Sequence, residues 1–234
     1  MKMRQKIKAV FFDAGGTLFR PFPSVGEIYA RTASTYGTSC NPEILEREFY
    51  SAWQRRGGLA SLGSETNEEK ERTWWYGLVR EVFESHGGMP RFDEFFAALH
   101  RSFEEKHLWE IYPEVVSVLK ELRKRGLTLG IVSNWDLRLQ KVVKNLGLIS
   151  YFHFLVSSSV CGATKPSPKI FKEALKKAGV KPEETIHVGD TYEEDFVGAK
   201  SLGIQALLLN RNGNGNSAPP ELRISSLEEL YRWI

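Results

Sequence analysis

Cysteine is scarce. Cys40 and Cys161 are the only two in 234 residues. So few, so far apart, they exclude a disulfide scaffold and match no zinc-binding spacing, and reduced thiols in the cytoplasm are the expectation. Long apolar runs are missing too: none approaches the roughly 18 residues that a membrane-spanning helix needs. The N-terminus is basic, but its apolar stretch is short and ends at Asp13, so it does not read as a secretory signal. A surplus of one charge is absent, the net value being +3. Lys and Arg are spread along helix faces and not blocked, which argues against a nucleic-acid partner. The five histidines, His86, His100, His107, His153 and His187, never recur at a metal-ligand spacing. His187 falls inside a predicted strand and is expected in the core or behind a site.

What is present is ordinary for a globular chain. The hydrophobic fraction of 41% and charged fraction of 26% suit one large domain, or a core with a smaller insert. The organising stretch is Lys8-Ala9-Val10-Phe11-Phe12-Asp13-Ala14-Gly15-Gly16-Thr17-Leu18. A short run rich in Val and Phe, closed by Gly-Gly, predicts a buried central strand ending in a tight turn. Asp13 then sits at the carboxyl end of that strand, the edge where open α/β sheets bind ligands. Taken alone, Asp13 reads more readily as a turn-capping residue.

Arg20-Pro21-Phe22-Pro23 is expected to break regular structure. Four helical patterns follow. Val25, Ile28, Tyr29, Ala33 and Tyr36 recur at helical spacing up to Gly37, and Asn41-Pro42 signals the next start. Leu45, Phe49, Ala52 and Trp53 mark the second helix. Trp74, Trp75, Leu78, Val82 and Phe83 mark the third. Phe92, Phe95, Phe96, Leu99 and Phe103 mark the fourth. Aromatic stripes of this kind read as core.

From Tyr112 the pattern alternates helix and strand. Predicted strands cover Leu127–Val132, Phe154–Val156, Thr185–Val188 and Ile204–Leu209, with helices between and a closing helix over Ser225–Ile234. The helix after Asp190 spans about Glu193–Leu202, and Asn212–Pro220 reads as a mobile loop. Alternation predicts an α/β fold, a Rossmann-like parallel sheet with helices on both faces. The first strand stands apart from the rest, so residues 21–108 form an inserted all-helical unit. The core is then discontinuous, over 1–20 and 109–234.

Polar residues collect at the predicted strand ends. Strand one gives Asp13 and Thr17, and the next gives Ser133 and Asn134. Lys165 precedes a proline, and Gly189-Asp190 is followed by Asp195. Singly these are helix caps, surface lysines and turns. Together and in this order, the chain resembles the haloacid dehalogenase-like hydrolase superfamily. The likeness rests on Asp13-Ala14-Gly15-Gly16-Thr17, Ser133-Asn134, Lys165-Pro166 and Gly189-Asp190 through Glu194-Asp195. The helical insert is similar to that superfamily's C1-type cap. Trp74-Trp75 and Ser133-Asn134-Trp135-Asp136 resemble its domain-containing protein type 3 branch.

The resemblance implies a Mg²⁺-dependent phosphatase of small phosphorylated metabolites, with Asp13 attacking phosphorus to give an aspartyl-phosphate. Thr17, Ser133 and Lys165 are the implied catalytic companions, binding the phosphoryl oxygens. Ala14, Gly15, Gly16, Ser133, Asn134 and Lys165 are the implied phosphate contacts. The implied metal set is Asp13, the Gly15 backbone carbonyl and Asp190, with Asp195 supporting from behind. One position departs from the pattern. Phosphatases of this kind carry a second Asp two residues after the nucleophile as general acid and base, and this chain has Gly15 there. That loss leaves two alternatives open: a catalytically impaired relative that binds a phosphorylated ligand or a protein, and a hydrolase of another bond such as carbon–halogen. Relatives that cleave carbon–halogen bonds carry a Tyr at that position and lack the acidic metal set.

Overall fold

The computed structural model describes residues 6–211 and 218–234. The expectation of a mobile Asn212–Pro220 loop lies, for residues 212–217, outside the described residues, as does the basic stretch 1–5. The apolar run after Lys8 forms β1 (Ala9–Phe12), every residue of it buried. A tight turn leads into β2 (Phe19–Pro21) and then into α1 (Val25–Ser34), α2 (Pro42–Arg56), α3 (Glu68–Glu84) and α4 (Phe92–Ser102). The chain returns through β3 (Trp109–Ile111) and then alternates. In order come α5 (Val115–Lys124), β4 (Thr128–Ser133), α6 (Arg138–Asn145), β5 (Phe154–Ser157), α7 (Ser158–Cys161) and α8 (Pro168–Ala178). They are followed by β6 (Thr185–Gly189), α9 (Gly198–Lys200), β7 (Gln205–Leu209) and β8 (Arg223–Ile224).

Six strands make one sheet in the order β5-β4-β1-β6-β7-β8, and every pairing is parallel. Period-two alternation of β1 divides the core. Val10 and Phe12 face one layer, with Val118 and Leu122 of α5 and Leu139 and Val143 of α6. Ala9 and Phe11 face the other, with Ile170 and Phe171 of α8 and Phe196 and Ala199. Burying both faces explains why the first strand reads as unbroken apolar sequence. The Rossmann-like expectation therefore holds. Because β1 lies between β4 and β6, the carboxyl ends of three strands open at one place.

Helices α1–α4 pack around a core of their own, built on Tyr29, Leu45, Phe49, Leu78, Phe83 and Phe95. Their starts follow local chemistry. Asn41 accepts from the Glu43 and Ile44 amides ahead of Pro42, Asn67 from the Lys70 amide, and Ser24 from the Glu27 amide. Arg20-Pro21 does not break structure as expected. It forms β2, antiparallel to β3, with Pro21 opposite Trp109. Proline is tolerated because this two-stranded ribbon has edges on both sides. Ser225–Ile234 is not a full helix but a 3₁₀ segment over Leu227–Arg232. The segment after Asp190 opens as a π-helical turn, Tyr192–Val197. β8 adds a sixth strand that two residues were too short to announce.

The helical unit docks on the core at two places. Thr164 donates from its amide (3.0 Å) and its hydroxyl (2.8 Å) to the Gly63 carbonyl. On the far side, Arg138 Nη1 donates to the His100 carbonyl at 2.7 Å, and the Leu137 amide donates to Glu68 at 3.0 Å. Between them Glu71 of α3 is wholly buried. No helix among the described residues is long and apolar enough to cross a membrane.

Candidate active site

Asp13 leaves β1 and lies buried at the sheet edge. Its amide still donates to the Val188 carbonyl of β6, so the strand pairing fixes the carboxylate's position. Ser133, the last residue of β4, donates its hydroxyl to Asp13 Oδ1 at 2.8 Å. Lys165 Nζ donates to the same oxygen at 2.5 Å and to Asp195 Oδ1 at 2.5 Å. Oδ2 of Asp13 has no protein partner among the described residues. Lys165 is only 1% exposed. Burial opposes its charge, but the Asp13 and Asp195 carboxylates outweigh that and hold its pKa above the ordinary lysine value.

Two further carboxylates complete the site. Asp195 accepts from Lys165, and its Oδ1 lies 2.9 Å from His187 Nε2, a fully buried ring on β6. Burial works against its ionisation, yet Lys165 and His187 keep its pKa below the usual carboxylate range. His187 thus backs the site, as expected. Asp190 opens to the cavity but lies deep among protein atoms. That depth, with Asp13 and Asp195 beside it, pushes its pKa up to about 8. Asp13 is raised as well, by burial first, with Lys165 pulling the other way. Ligand atoms of Asp13, Asp190 and Asp195 fall within 4.8 Å of one another. Three hard oxygen donors set against one ammonium fit a divalent cation that prefers carboxylates, and Mg²⁺ is such an ion.

The turn after Asp13 explains its glycines. Gly16 has φ +77°, and a Cβ there would collide with the Asp190 carboxylate. Its amide donates to the Phe19 carbonyl at 2.9 Å, so it is not free for an anion, contrary to expectation. The Ala14 and Gly15 amides have no such acceptor among the described residues. The Ala14 carbonyl accepts from Leu18 at 2.8 Å and closes the turn. Gly15 is different: its φ is not in the left-handed region, and a Cβ would meet only Trp135, at an ordinary 3.5 Å.

Two other expected phosphate contacts are already engaged. Thr17 is fully buried and donates its hydroxyl to Asp190 Oδ1 at 3.1 Å, orienting that carboxylate. Asn134 donates Nδ2 to the Lys165 carbonyl (3.0 Å) and to Glu194 (2.6 Å), and accepts from the Lys165 amide at 2.6 Å. Its side-chain amide clamps the lysine's loop, with Nδ2 spent on protein acceptors. Ser133 and Lys165 remain turned toward Asp13.

Above this floor lies a cavity of about 350 Å³ between the core and the helical unit. Sequence periodicity places the aromatic stripes in a core, and most of each stripe is there. Trp53, Trp75, Phe96 and Phe103 also line the cavity, together with Trp109 and Trp135. A 3.6-residue repeat cannot separate core from cavity wall, because both lie on the inner face. Glu194, its pKa pushed by burial up to about 7, and Arg138 also reach the lining. In the sequence Glu194 stands out only as the neighbour of Asp195 in the last motif, which gives it no role of its own.

The chain is similar to known proteins along nearly its whole length. The chain is 34% identical over 233 residues to the Danio rerio protein called haloacid dehalogenase-like hydrolase domain-containing protein 3, covering 97% of this chain and 96% of that one. It is 32% identical to a phosphoserine phosphatase of Thermus thermophilus, over 96% of this chain and 98% of that one. The crystal structure of a phosphatase from Thermococcus onnurineus superposes with a TM-score of 0.69 at 28% identity, covering 97% of both chains. Residues 7–203 match the family itself, and a match running from the strand before Asp13 to the turn beyond Asp195 places this chain in the haloacid dehalogenase-like hydrolase family.

Proposed function

We propose that this hydrolase is a phosphatase of small phosphorylated molecules and that Asp13 is its nucleophile. One observation carries the reading: Ser133 and Lys165 both grip Oδ1, which leaves Oδ2 as a positioned, unpartnered oxygen at the cavity floor. Oδ2 attacks phosphorus, the ester oxygen departs with its electron pair, and an aspartyl-phosphate forms. Water then attacks that phosphorus, releasing inorganic phosphate and restoring the carboxylate. Lys165 and the Ser133 hydroxyl stabilise the charge gathering on the phosphoryl oxygens, with the Ala14 and Gly15 amides available beside them. Asp13, Asp190 and the Gly15 carbonyl would hold Mg²⁺, with Asp195 behind, and the ion would supply charge neutralisation at the phosphoryl group. Helices α1–α4, the unit over 21–108, act as a cap on this cavity, and the core spans 1–20 and 109–234.

The phosphatase names among similar proteins support a phosphorylated substrate. The free cysteines suit a reducing compartment such as the cytoplasm. The acidic cluster favours phosphate over halide chemistry. The deciding test compares hydrolysis of nitrophenyl phosphate with and without Mg²⁺ against chloride release from a 2-haloacid. Asp13→Asn keeps the shape and removes the nucleophile, so phosphate release should become undetectable while the circular dichroism stays unchanged. Undiminished turnover in that variant would sink the reading. Chloride release alone would establish the carbon–halogen alternative.

A further inference from the structure

The cavity above Asp13 has a largely aromatic wall. Trp53, Trp75, Phe96, Phe103, Trp109 and Trp135 enclose it. Their rings meet tilted, Trp53 on Trp75 at 5.4 Å and 41°, Trp109 on Trp135 at 5.3 Å and 53°, and Phe103 on Trp109 at 5.8 Å and 60°. Part of the wall's polar complement is engaged by protein, while Trp75 Nε1 and His100 Nε2 are buried with no hydrogen-bond partner among the described residues. Arg138 gives Nε and Nη2 to Asp136 and Nη1 to the His100 carbonyl. His100 Nε2 lies 3.6 Å from Asp136. Asn134 is spent on Lys165 and Glu194.

A polyol leaving group placed here would turn most of its hydroxyls to rings, with Tyr50, Thr191 and Glu194 the polar groups beside the floor. Each hydroxyl stranded in such a wall weakens binding by about 5- to 100-fold. An aromatic ring meets the opposite situation, with edges and faces of several rings offered at stacking distance. A volume of about 350 Å³ is near the lower end for small-molecule sites, enough for a phosphoryl group and one or two rings.

We infer that the substrate is a phosphate monoester of an apolar aromatic alcohol, phenolic or aryl-alkyl, and not a sugar or polyol phosphate, because the aromatic cavity is continuous with the Asp13 carboxylate. This deepens the phosphatase reading and rests on it. Recognition is separated from leaving-group chemistry by comparing 2-phenylethyl phosphate with glycerol 1-phosphate, since both release a primary alkyl alcohol. The expected kcat/KM ratio is at least about 100 in favour of the aryl ester, equivalent to two stranded hydroxyls.

Binding without turnover supplies the second arm. Calorimetry of the full chain with Mg²⁺ should show 2-phenylethylphosphonate binding at least about tenfold tighter than 2,3-dihydroxypropylphosphonate. Trp75→Leu, which keeps the site apolar, should narrow that gap, and Trp75→Ala should narrow it further if the variant folds. Equal binding of the two phosphonates, with either ester hydrolysed, overturns the substrate class and leaves the phosphatase standing. Tight aryl-phosphonate binding with no ester hydrolysed upholds the cavity's preference and overturns turnover. Failure to bind either phosphonate overturns both.

Discussion

Glu71 is an acid that the fold makes harder to ionise. It sits on α3 against α7, wholly out of solvent, with Oε1 accepting from the Thr66 hydroxyl at 3.3 Å and Oε2 unpaired. Burial pushes its pKa from an ordinary 4.5 up to about 7. The Ser158 and Thr66 hydroxyls pull it back, and Asp136 adds to the rise. Between those two values the native state holds a proton that the unfolded chain has released. Stability therefore falls as pH rises through the window and levels off above it. One pKa unit corresponds to about 1.4 kcal/mol, so the loss saturates at about 3 kcal/mol. Glu71→Gln keeps the shape without the charge. Its gain over the natural protein should be larger by about 2 kcal/mol at about pH 8.5 than at about pH 5.5. Any cost of the new amide is the same at both values and cancels. The assay is urea unfolding at the two pH values in matched salt, with linear extrapolation. A difference below about 0.5 kcal/mol, or one of opposite sign, would refute the protonated, buried state.

Three other outcomes are expected. Mg²⁺ at about 100 times its Kd should stabilise the protein by about 2.7 kcal/mol, or roughly 5–10 °C in Tm for a chain of this length, and Asp190→Ala should abolish the rise; a shift that survives places the ion elsewhere. Without a general acid at Gly15, kcat/KM should climb steeply as the leaving group becomes more acidic, and a flat dependence across graded phosphates means that another residue supplies the proton. Gly15→Asp should then raise turnover of alkyl phosphates more than aryl ones, within the roughly 10²–10⁴-fold that acid–base catalysis contributes; the backbone and the 3.5 Å clearance to Trp135 admit a Cβ, and no selective gain would refute the role given to this position.

The sheet was legible because burial on both faces leaves an unmistakable apolar run, and the order of polar strand ends located Asp13, Ser133, Lys165, Asp190 and Asp195. Hydrogen-bond allocation was not legible. Thr17 and Asn134 look like phosphate ligands by position, yet one is committed to Asp190 and the other to the Lys165 loop. Residue type states what a side chain is able to bond, and only the fold states which partner reaches it first. The cavity wall escaped for a related reason, since Trp75 and Phe103 serve the packing of the helices and the lining at once. β2 was hidden by Pro21, which argues against an interior strand but suits a two-stranded ribbon.

That ribbon has a consequence for how the chain is assembled. Pro21 stands opposite Trp109, and the Phe22 amide donates to the Leu108 carbonyl at 2.8 Å, so the helical unit leaves and rejoins the core within one strand spacing. To the sheet, everything between those residues is topologically a hairpin turn. Lengthening a loop whose ends are already pinned adds closure entropy only logarithmically, at about 0.6 kcal/mol per doubling. The core thus tolerates whatever is threaded between Pro21 and Trp109, and a short Gly-containing turn joining them would close the same ribbon with the register of β1 undisturbed.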